Sequence, residues 1–430
     1  QGWLSSCDPH HSAAWYTPID YTKPPSIRGA TKTFIHDHSL AMDPCSHPHL
    51  FRTHGQFLSF DRGRGPNLPQ YDSVLLGAEE EMGWVGVISL SPTKLHADMT
   101  AAIPFEWVED GDDIDLGDEW EWSFEEVDAS GNVGSDGKQP DQSNNQDPLS
   151  GNGAKLSADS DEAQVIVKSK PTGEPLRWAL KGVDERLHWR GSNTGIWHGE
   201  GMDWTLTHRL RMMDMLQYNE RAYSRGDEDG FPKPIAYPDE LNVLSIADGR
   251  SETKIDRAKW INYTMDVSFS GHPKACSISE GVCDELGKRY QWGQGVPREA
   301  VGRHRKYLLD VDGNAWSSRF KRLMSSGSVV FKATAYPEWF TDRIQPWVHY
   351  IPVQVDLSDL WDSFLFFQGE ERDNVAREIG NNGWNWSRSF WRKEDMAAYN
   401  FRLFLEYARA MSPGREKLSY VYDPVHEISE

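Results

Sequence analysis

The sequence predicts an α/β protein in which helices cover a mostly parallel sheet, and three observations support this class, its division into two domains and its packed cores. From residue 163 onward, short strand-like runs alternate with helical ones, a pattern typical of layered α/β domains. A length of 430 residues exceeds what one hydrophobic core usually supports and predicts two core-bearing domains. Hydrophobic residues make up 38% of the chain, which is ample for packed cores. The alternating runs are AQVIVKS, RLHWRG, TLTHRLRMMDML, TMDVSF, RKYLLDV, SSRFKRLM, SVVFKA, WVHYIPV and SDLWDSFLFFQ.

The charge and the tryptophan content limit the classes of partner. The net charge is -21, from 66 acidic residues against 45 Lys and Arg, which argues against nucleic acid or an anionic membrane as the main partner. The chain has 19 Trp residues, and aromatic side chains suit sugar binding as well as cores. No run of 18 apolar residues occurs, and the opening QGWLSSCDPHH resembles neither a signal peptide nor an anchor. We therefore expect membrane attachment only through an N-terminal anchor that has been removed.

Four cysteines fall into two neighbourhoods. Cys7 lies near Cys45 in sequence, and Cys276 lies near Cys283. Their spacing fits neither a zinc ribbon nor a redox Cys-x-x-Cys motif. The sequence predicts two disulfides, 7–45 and 276–283, and the alternative is buried free thiols.

A polar stretch divides the chain. Residues 128–162 are mostly Gly, Ser, Asn, Asp and Gln, with too little apolar content to offset the entropy of ordering. We expect a disordered surface loop between two halves, and a domain linker is the alternative. Before it, TAAIPFEW reads as a buried strand ending in acids. Near the end, an amphipathic helix closed by SPG is predicted from apolar residues at i, i+3 and i+4 spacing: Met396, Tyr399, Leu403, Phe404 and Tyr407.

Residues 306–324, KYLLDVDGNAWSSRFKRLM, predict a strand followed by a helix. KYLLDV is a short apolar strand, and Trp316, Phe320 and Leu323 would share one helical face. Gly313 then lies at the strand-to-helix turn. In open α/β sheets ligands bind at the carboxyl ends of strands, and helix N-termini hold phosphate.

The side chains of this turn predict a diphosphate cradle. Ser317 and Ser318 are expected in the first turn of the helix, with Arg319 reaching back to an oxyanion. Two alternatives remain: a metal site formed by Asp310 and Asp312, or Asp312 as a helix N-cap, which is compatible with phosphate binding. A calcium loop is excluded because such a loop needs glycine at its sixth position and glutamate at its twelfth.

Two further stretches have functional potential. Residues 187–201, LHWRGSNTGIWHGEG, end a strand in Arg-Gly-Ser, where Gly191 allows close backbone approach and Ser192 offers a hydroxyl. A plain turn is the alternative. Residues 334–353 pack aromatics around Glu338 and Asp342, and a core corner with capping acids is the alternative there.

Four stretches together resemble glycosyltransferase family 90. They are MDPCSHPHLFRTHGQFLSF, WRGSNTG, YLLDVDGNAWSSRFKRLM and GSVVFKATAYPEWFTDRIQPWVHYIPVQVDLSDL. The resemblance is dense from 187 to 410 and recognisable at 42–60. The family contains fungal capsule-associated xylosyltransferases and animal protein O-glucosyltransferases, and the fungal branch fits better. The resemblance implies a GT-B arrangement, in which two Rossmann-like domains face each other across a cleft.

The resemblance also implies a division of the chain. We expect an acceptor-side N-terminal domain over residues 1–172 and a UDP-sugar-binding domain over 173–385. Residues 386–430 would form a C-terminal helix that packs back across the domains.

The family pattern carries donor-site roles onto individual residues. Arg209 and Arg319 match arginines that face the diphosphate, and Glu338 matches an acid that takes the ribose hydroxyls. Animal members lack the first aspartate of the Asp-x-Asp pair, so no metal or other cofactor is expected. The predicted donor-binding residues are Arg190, Gly191, Ser192, Arg209, Asp312, Gly313, Ser317, Ser318, Arg319 and Glu338.

The expected catalytic base lies in the N-terminal domain, where the family has an Asn-x-x-Asp pattern after a strand. Here IPFEWVEDGDD places Glu106 at the Asn position and Glu109 at the Asp position. Because the sequence departs from the pattern, Asp110 and Glu106 remain alternatives to Glu109.

The predicted activity is an inverting transfer of xylose, in a β-1,2 linkage, from UDP-xylose to a mannose-containing glycan. A UDP-glucose-dependent protein O-glucosyltransferase and a catalytically inactive sugar-binding homologue are the alternatives. The sequons at Asn262 and Asn385 would suit the Golgi or secretory lumen, with a type II membrane protein as the parent form.

Overall fold

The computed structural model describes residues 34–59, 88–89, 99–102, 178, 184–200, 202–217, 231, 234–245, 250–295, 302, 304–415 and 417–418. The chain divides into one compact unit made of residues 1–115 and 178–430 and a second made of residues 116–177. All the described residues belong to the first unit. The polar stretch 128–162 lies outside them.

Ten strands and ten α-helices are described. The strands are β1 Ile88–Ser89, β2 Met99–Thr100, β3 Asp184–Gly191, β4 Glu240–Leu244, β5 Glu252–Asp256, β6 Met265–Ser270, β7 Trp292–Gly293, β8 Arg305–Val311, β9 Val329–Ala333 and β10 Ile351–Val353. The helices are α1 His38–Ala41, α2 Leu50–Thr53, α3 Gly55–Ser59, α4 His208–Leu216, α5 Arg257–Thr264, α6 Val282–Arg289, α7 Phe320–Met324, α8 Leu360–Phe366, α9 Asp373–Phe390 and α10 Lys393–Met411. Short 3-10 helices span Trp204–Leu206 and Glu370–Arg372.

Six of these strands form one parallel sheet in the order β10-β9-β8-β3-β6-β7. The first of them in sequence, β3, is central. The chain adds β6 and β7 on one side of β3 and then β8, β9 and β10 on the other. The direction of strand addition therefore reverses between β3 and β8, and ligands of open α/β sheets bind at the carboxyl ends of strands at such a point.

This sheet confirms the predicted α/β class with parallel strands. The second Rossmann-like domain of a GT-B arrangement stays a prediction, because most of residues 1–172 lie outside the described ranges. The division at 172 and 385 likewise stays a prediction.

Strands β8, β9 and β10 are buried along almost their whole length because both faces of the sheet are covered. Neighbouring residues of β8 belong to different clusters: Leu309 packs on the face covered by α4 and α8, and Leu308 packs on the face covered by α7 and α9. All five residues of β9 are buried.

Helix α7 begins later than predicted. It starts at Phe320, so the expectation that Ser317 and Ser318 occupy its first turn is wrong. Residues 313–319 instead form turns, in which the Gly313 N–H is directed to the carbonyls of Ala315 and Trp316. Phe320 and Leu323 share one core cluster as predicted, whereas Trp316 packs against a different one.

The amphipathic C-terminal helix is confirmed as α10, which ends at Met411 just before the Ser-Pro-Gly. Of the predicted stripe, Met396 is buried, Phe404 is exposed, and the others are half-buried: Tyr399, Leu403 and Tyr407. The Asn400 amide bonds both the N–H and the carbonyl of Ala102, at 2.9 and 3.0 Å. Helix α10 is thereby attached to the backbone that follows β2.

The segment 34–59 packs on the loops that follow β8, β9 and β10. His38 Nδ1 lies 2.9 Å from the hydroxyl of Tyr350, and the Trp347 indole donates to the Ile35 carbonyl at 2.6 Å. A small apolar cluster joins this segment to the loops: Leu50, Phe57, Ala335, Tyr336 and Val355.

The predicted Cys276–Cys283 disulfide is confirmed. Cys45 is also disulfide-bonded, while Cys7, its predicted partner, lies outside the described residues. Within the described ranges, no helix is long and apolar enough to cross a membrane.

Candidate functional site

Arg319 spans the point where strand order reverses. Hydrogen-bond pairing of β3 with β8 ends at His188 and Leu308, before either strand ends. Beyond that pair, Arg319 donates from Nη1 to the Arg190 carbonyl at 3.0 Å and from Nη2 to the Val311 carbonyl at 2.7 Å. Its guanidinium group therefore bridges the carboxyl ends of both strands.

Arg209, from α4, makes a second bridge one step farther along the same strands. Its Nε donates to the Asp312 carbonyl at 2.7 Å, and its Nη1 donates to the Ser192 carbonyl at 2.7 Å and to Thr194 Oγ1 at 2.8 Å. Arg209 is 5% exposed. Its Nη2 makes no hydrogen bond with any residue that the structure describes, so two N–H groups remain for a ligand.

The two guanidinium groups share one aromatic ring, the Trp189 indole, at 5.5 Å for Arg209 and 5.2 Å for Arg319. Burial lowers the pKa of Arg209 to about 9, and the positive charge of Arg319 acts in the same direction. Burial also lowers the pKa of Arg319, against the opposing effect of Asp310 and Asp312. The site thus concentrates positive charge where water screens it poorly.

A cavity of about 100 Å³ lies between the diverging strands and contains further basic groups. Arg190, Arg319 and Arg322 line it together with His188. The guanidinium group of Arg190 is an ion-pair partner of Asp266 on β6, to which His188 Nδ1 also donates, at 2.8 Å. Arg190 is therefore directed along the sheet, and its predicted contact with the donor stays a prediction.

Gly191 is required by the close approach of Arg319. A Cβ atom at this position would lie 2.5 Å from Arg319 Nη1 and 2.7 Å from Cζ2 of Trp189. The predicted close backbone approach at Gly191 is present, and the group that approaches is a side chain of the protein.

Asp312 connects the sheet to the N-terminal segment and is not a helix cap. Its Oδ2 accepts from the Ala335 N–H at 2.9 Å and from His54 Nε2 at 3.1 Å. Its carbonyl accepts from His208 Nε2 at 2.8 Å, while His208 Nδ1 accepts from the Gly55 N–H at 3.2 Å. Burial lowers the pKa of His208 far below its usual value, in agreement with this neutral form.

The carboxylate of Asp310 is hydrogen-bonded and ion-paired to other side chains of the protein. Ser317 donates its hydroxyl to Oδ1, and Lys332 Nζ lies 3.3 Å from Oδ2. Arg319 Nη2 lies 3.6 Å from Oδ1. The same Lys332 ammonium lies 3.3 Å from Oε1 of Glu338. Within the described ranges, no group of three or more His, Cys, Asp or Glu side chains is arranged to hold a metal ion.

The structure brings most of the predicted donor residues to one edge of the sheet. Those at the ends of β3 and β8, or bonded to them, are Gly191, Ser192, Arg209, Asp312, Gly313 and Arg319. Ser317 is turned inward to Asp310, Ser318 is exposed on the turn, and Glu338 is buried against Lys332. The predicted base candidates Glu106, Glu109 and Asp110 lie outside the described residues.

Several site residues received no individual role from the sequence, although His54 and Thr194 lie in stretches that carry the family resemblance. His54 and His208 are single histidines whose partner, Asp312, lies 258 and 104 residues away, and Thr194 accepts from Arg209, 15 residues away. Lys332 had a local signal, because it is the one charged residue in the buried run SVVFKA. Asn314, which accepts from the Gly195 N–H at 2.9 Å, was not singled out either.

Part of the carboxyl half of the chain, residues 296–419, matches the model of a known family. The family model Glycosyl transferase family 90 matches residues 296–419. Protein O-glucosyltransferase 1 of Homo sapiens is 38% identical over 108 residues, which are 25% of this chain and 27% of that protein. Protein O-glucosyltransferase 2 of Danio rerio is 36% identical over 104 residues, 24% of this chain and 20% of that protein. Protein O-glucosyltransferase 3 of Homo sapiens is 31% identical over 108 residues, 25% of this chain and 21% of that protein. The matched part spans about a quarter or less of the length of these relatives.

Proposed function

We propose, on the premise that residues 296–419 form a glycosyltransferase family 90 domain, that this protein transfers a sugar from a UDP-sugar to an acceptor hydroxyl with inversion. The matched range contains β8, β9 and β10, which are the half of the sheet on one side of β3. It also contains Arg319 and Glu338, two of the predicted donor residues.

One observation carries the proposal: the buried guanidinium group of Arg209 and the half-buried one of Arg319 meet over Trp189 where strand order reverses. The backbone carbonyls that they bond compensate their charge only in part, and the positive charge of Arg319 disfavours the charged form of Arg209. A diphosphate would relieve that repulsion and could take the two N–H groups of Arg209 Nη2. The same fixed donors would stabilise the negative charge that develops on UDP as it leaves.

The chemistry is a single displacement at the anomeric carbon. The acceptor oxygen attacks from the face opposite UDP, the bond between the anomeric carbon and the phosphate oxygen breaks, and UDP leaves with the electron pair. A carboxylate takes the proton of the acceptor hydroxyl. Glu109 is our proposed base, with Asp110 and Glu106 as alternatives.

We propose that the donor site needs no metal ion, because arginines and backbone dipoles can take the charge of the diphosphate. Calorimetry of UDP with and without EDTA tests this point. The two dissociation constants should agree, and a loss of more than about tenfold in affinity on chelation would restore Asp310 and Asp312 as metal ligands.

For the substrates we propose UDP-xylose and a mannose-containing glycan. The resemblance to the fungal branch supports this choice, and so does Trp197, whose side chain is 57% exposed on the loop that follows Arg190-Gly191-Ser192. That loop is held in place, because the His198 N–H donates to the Ala275 carbonyl and the Ser277 N–H donates to the His198 carbonyl, both at 2.8 Å. A fixed, exposed indole is suited to stacking on a sugar ring.

Protein O-glucosyltransferase activity is the second candidate, and the names of the relatives favour it. The two are separated by measuring UDP release from UDP-xylose and UDP-glucose, with α-mannosides or a folded disulfide-rich domain as acceptor. UDP release only with UDP-glucose and the protein acceptor would make protein O-glucosyltransferase activity the first candidate. An inactive sugar-binding homologue would leave both donors intact.

Trp197→Ala tests the acceptor part of the proposal. The KM for an α-mannoside should rise while the affinity for UDP stays unchanged. Tyr263→Ala is the matched control, since Tyr263 is an 80% exposed aromatic residue on α5. Equal effects of the two variants would remove Trp197 from the acceptor site.

A secretory compartment, with the Golgi lumen as our choice, is proposed for the protein. The Cys276–Cys283 disulfide supports an oxidising compartment, and both sequon asparagines, Asn262 and Asn385, are exposed.

A further inference from the structure

Lys332 is a buried cation between two buried acids. It lies in β9 with its side chain 3% exposed, and its ammonium group is 3.3 Å from both Asp310 Oδ2 and Glu338 Oε1. The ammonium group also lies 4.0 Å from the centre of the Phe320 ring.

Asp310 links Lys332 to the ligand edge of the sheet. Its other oxygen, Oδ1, takes the hydroxyl of Ser317 and lies 3.6 Å from Arg319 Nη2. Ser317 and Arg319 both belong to the turn 313–319. The carboxylate of Asp310, in β8, thus contacts Ser317 and Arg319, two side chains of the turn, and Arg319 is the proposed phosphate-binding arginine.

The charge of Asp310 needs a partner, because an unpaired buried carboxylate is strongly unfavourable. Ser317 is neutral, and Arg319 gives its close hydrogen bonds to the carbonyls of Arg190 and Val311. Arg319 is therefore the more distant ion-pair partner of Asp310, at 3.6 Å, and the ammonium of Lys332, at 3.3 Å, is the closer cation. Burial alone would lower the pKa of Lys332, but Glu338, then Asp310 and Asp312, raise it above its usual value. Lys332 is therefore charged at neutral pH.

We propose that Lys332 is a positioning residue of the donor site, which compensates the charge of Asp310 and so fixes Ser317 and Arg319 where Arg319 can bind diphosphate. This inference rests on the proposed function for the identity of the ligand. It predicts that Lys332 influences UDP binding only through Arg319.

Lys306 provides a matched control in the same sheet. It lies in β8 near the amino ends of the strands, 8% exposed, with its ammonium 2.7 Å from Asp373 Oδ1 and paired also with Glu185. Lys306→Met and Lys332→Met both remove a poorly exposed ammonium group that two carboxylates share. They differ in their distance along the strands from the ligand edge.

The experiment measures UDP affinity by calorimetry and melting temperature for the wild type and four variants. These are Lys332→Met, Lys306→Met, Arg319→Ala and the double variant of Lys332 and Arg319. Lys332→Met should weaken UDP binding about 10- to 100-fold, the effect of losing one well-placed charged hydrogen bond. Lys306→Met should change UDP affinity less than about twofold, and it should lower the melting temperature less than Lys332→Met does, because Glu185 and Asp373 are about half exposed.

The double variant decides whether Lys332 acts through Arg319. In the Arg319→Ala background, Lys332→Met should cause no further loss of affinity, because residues of one network are not additive. An additive loss, an equal loss in Lys306→Met or an unchanged affinity in Lys332→Met would each overturn the inference.

A milder variant covers the case in which Lys332→Met does not fold. Ser317→Ala removes one hydroxyl from Asp310, should weaken UDP about 2- to 12-fold, and should add nothing in the Arg319→Ala background. A wild type that does not bind UDP would overturn both the donor assignment and this inference. A wild type that binds UDP but transfers no sugar would refute the proposed activity alone. The UDP affinities of the Lys332 and Arg319 single and double variants would still test the role of Lys332.

Discussion

Gly191→Ala perturbs the ligand edge with a single methyl group. The backbone at Gly191 is not left-handed, so alanine can adopt its conformation, but the new Cβ would lie 2.5 Å from Arg319 Nη1 and 2.7 Å from Trp189 Cζ2. Since normal carbon contacts are about 3.5–4.0 Å, both side chains must move away from the new methyl group, each by about an ångström. The end of the long arginine side chain is the easier group to displace. We therefore expect Arg319 to lose its bonds to the carbonyls of Arg190 and Val311.

The magnitude follows from the contacts that are lost. A hydrogen bond from a charged group contributes about 1.5–3 kcal/mol, so a displaced Arg319 should weaken UDP binding about 10- to 150-fold. Overpacking should also lower the free energy of unfolding by about 1–3 kcal/mol. Calorimetry of UDP and thermal unfolding measure the two effects separately.

Gly295→Ala is the control, because Gly295 lines the same cavity and a Cβ there would meet no atom within 4 Å. Its UDP affinity and melting temperature should match the wild type. If Gly191→Ala folds and binds UDP within about twofold of the wild type, Arg319 is not the group that holds the diphosphate.

Three further predictions concern binding, the polar stretch and the base. Arg319→Ala should weaken UDP binding by about 1.5–3 kcal/mol, and an unchanged affinity in calorimetry would make it a purely structural residue. Deletion of residues 130–160 should leave transfer rate and melting temperature nearly unchanged, because this sequence has too little apolar content for a core, and a fall in either would contradict that reading. Glu109→Gln should reduce transfer about 10²- to 10⁴-fold while UDP affinity stays near wild type. Parallel Glu106→Gln and Asp110→Asn variants identify the base, and more than about a tenth of the activity in all three would exclude this acidic run.

The sheet could be predicted from local sequence because its strands are short apolar runs bounded by polar residues. The run RKYLLDV has the same bounds as β8, and TMDVSF differs from β6 by one residue at each end. Such runs gain so much from burial on both faces that tertiary context rarely changes their class.

The turn before α7 could not be predicted in the same way. The sequence NAWSSRFKRLM has helical periodicity, but Ser317 is bonded to Asp310 and Asp312 is bonded to Ala335 and His54. These partners hold the backbone out of the helix until Phe320. Tertiary hydrogen bonds outweigh helix propensity here, since propensity differences are only a few tenths of a kcal/mol per residue.

The arginines and the histidines of the site show a second limit of prediction from the sequence alone. The donor roles of Arg209 and Arg319 came from resemblance to a family, and the structure shows that both side chains reach the same strand ends. His54 and His208 were missed because each is a single histidine whose partner is set by the fold, and no local spacing marks it.

The docking of residues 34–59 onto the far end of the chain affects how the protein folds. His54 and Asp312 are 258 residues apart, and His38 and Tyr350 are 312 residues apart. During synthesis this segment leaves the ribosome long before the loops that cover Leu50 and Phe57 are made. Contacts of such long range close slowly, because the loop entropy must be overcome before they stabilise anything. We therefore expect the ligand edge to mature in the last step of folding, and its amides to be the last to gain protection from hydrogen exchange.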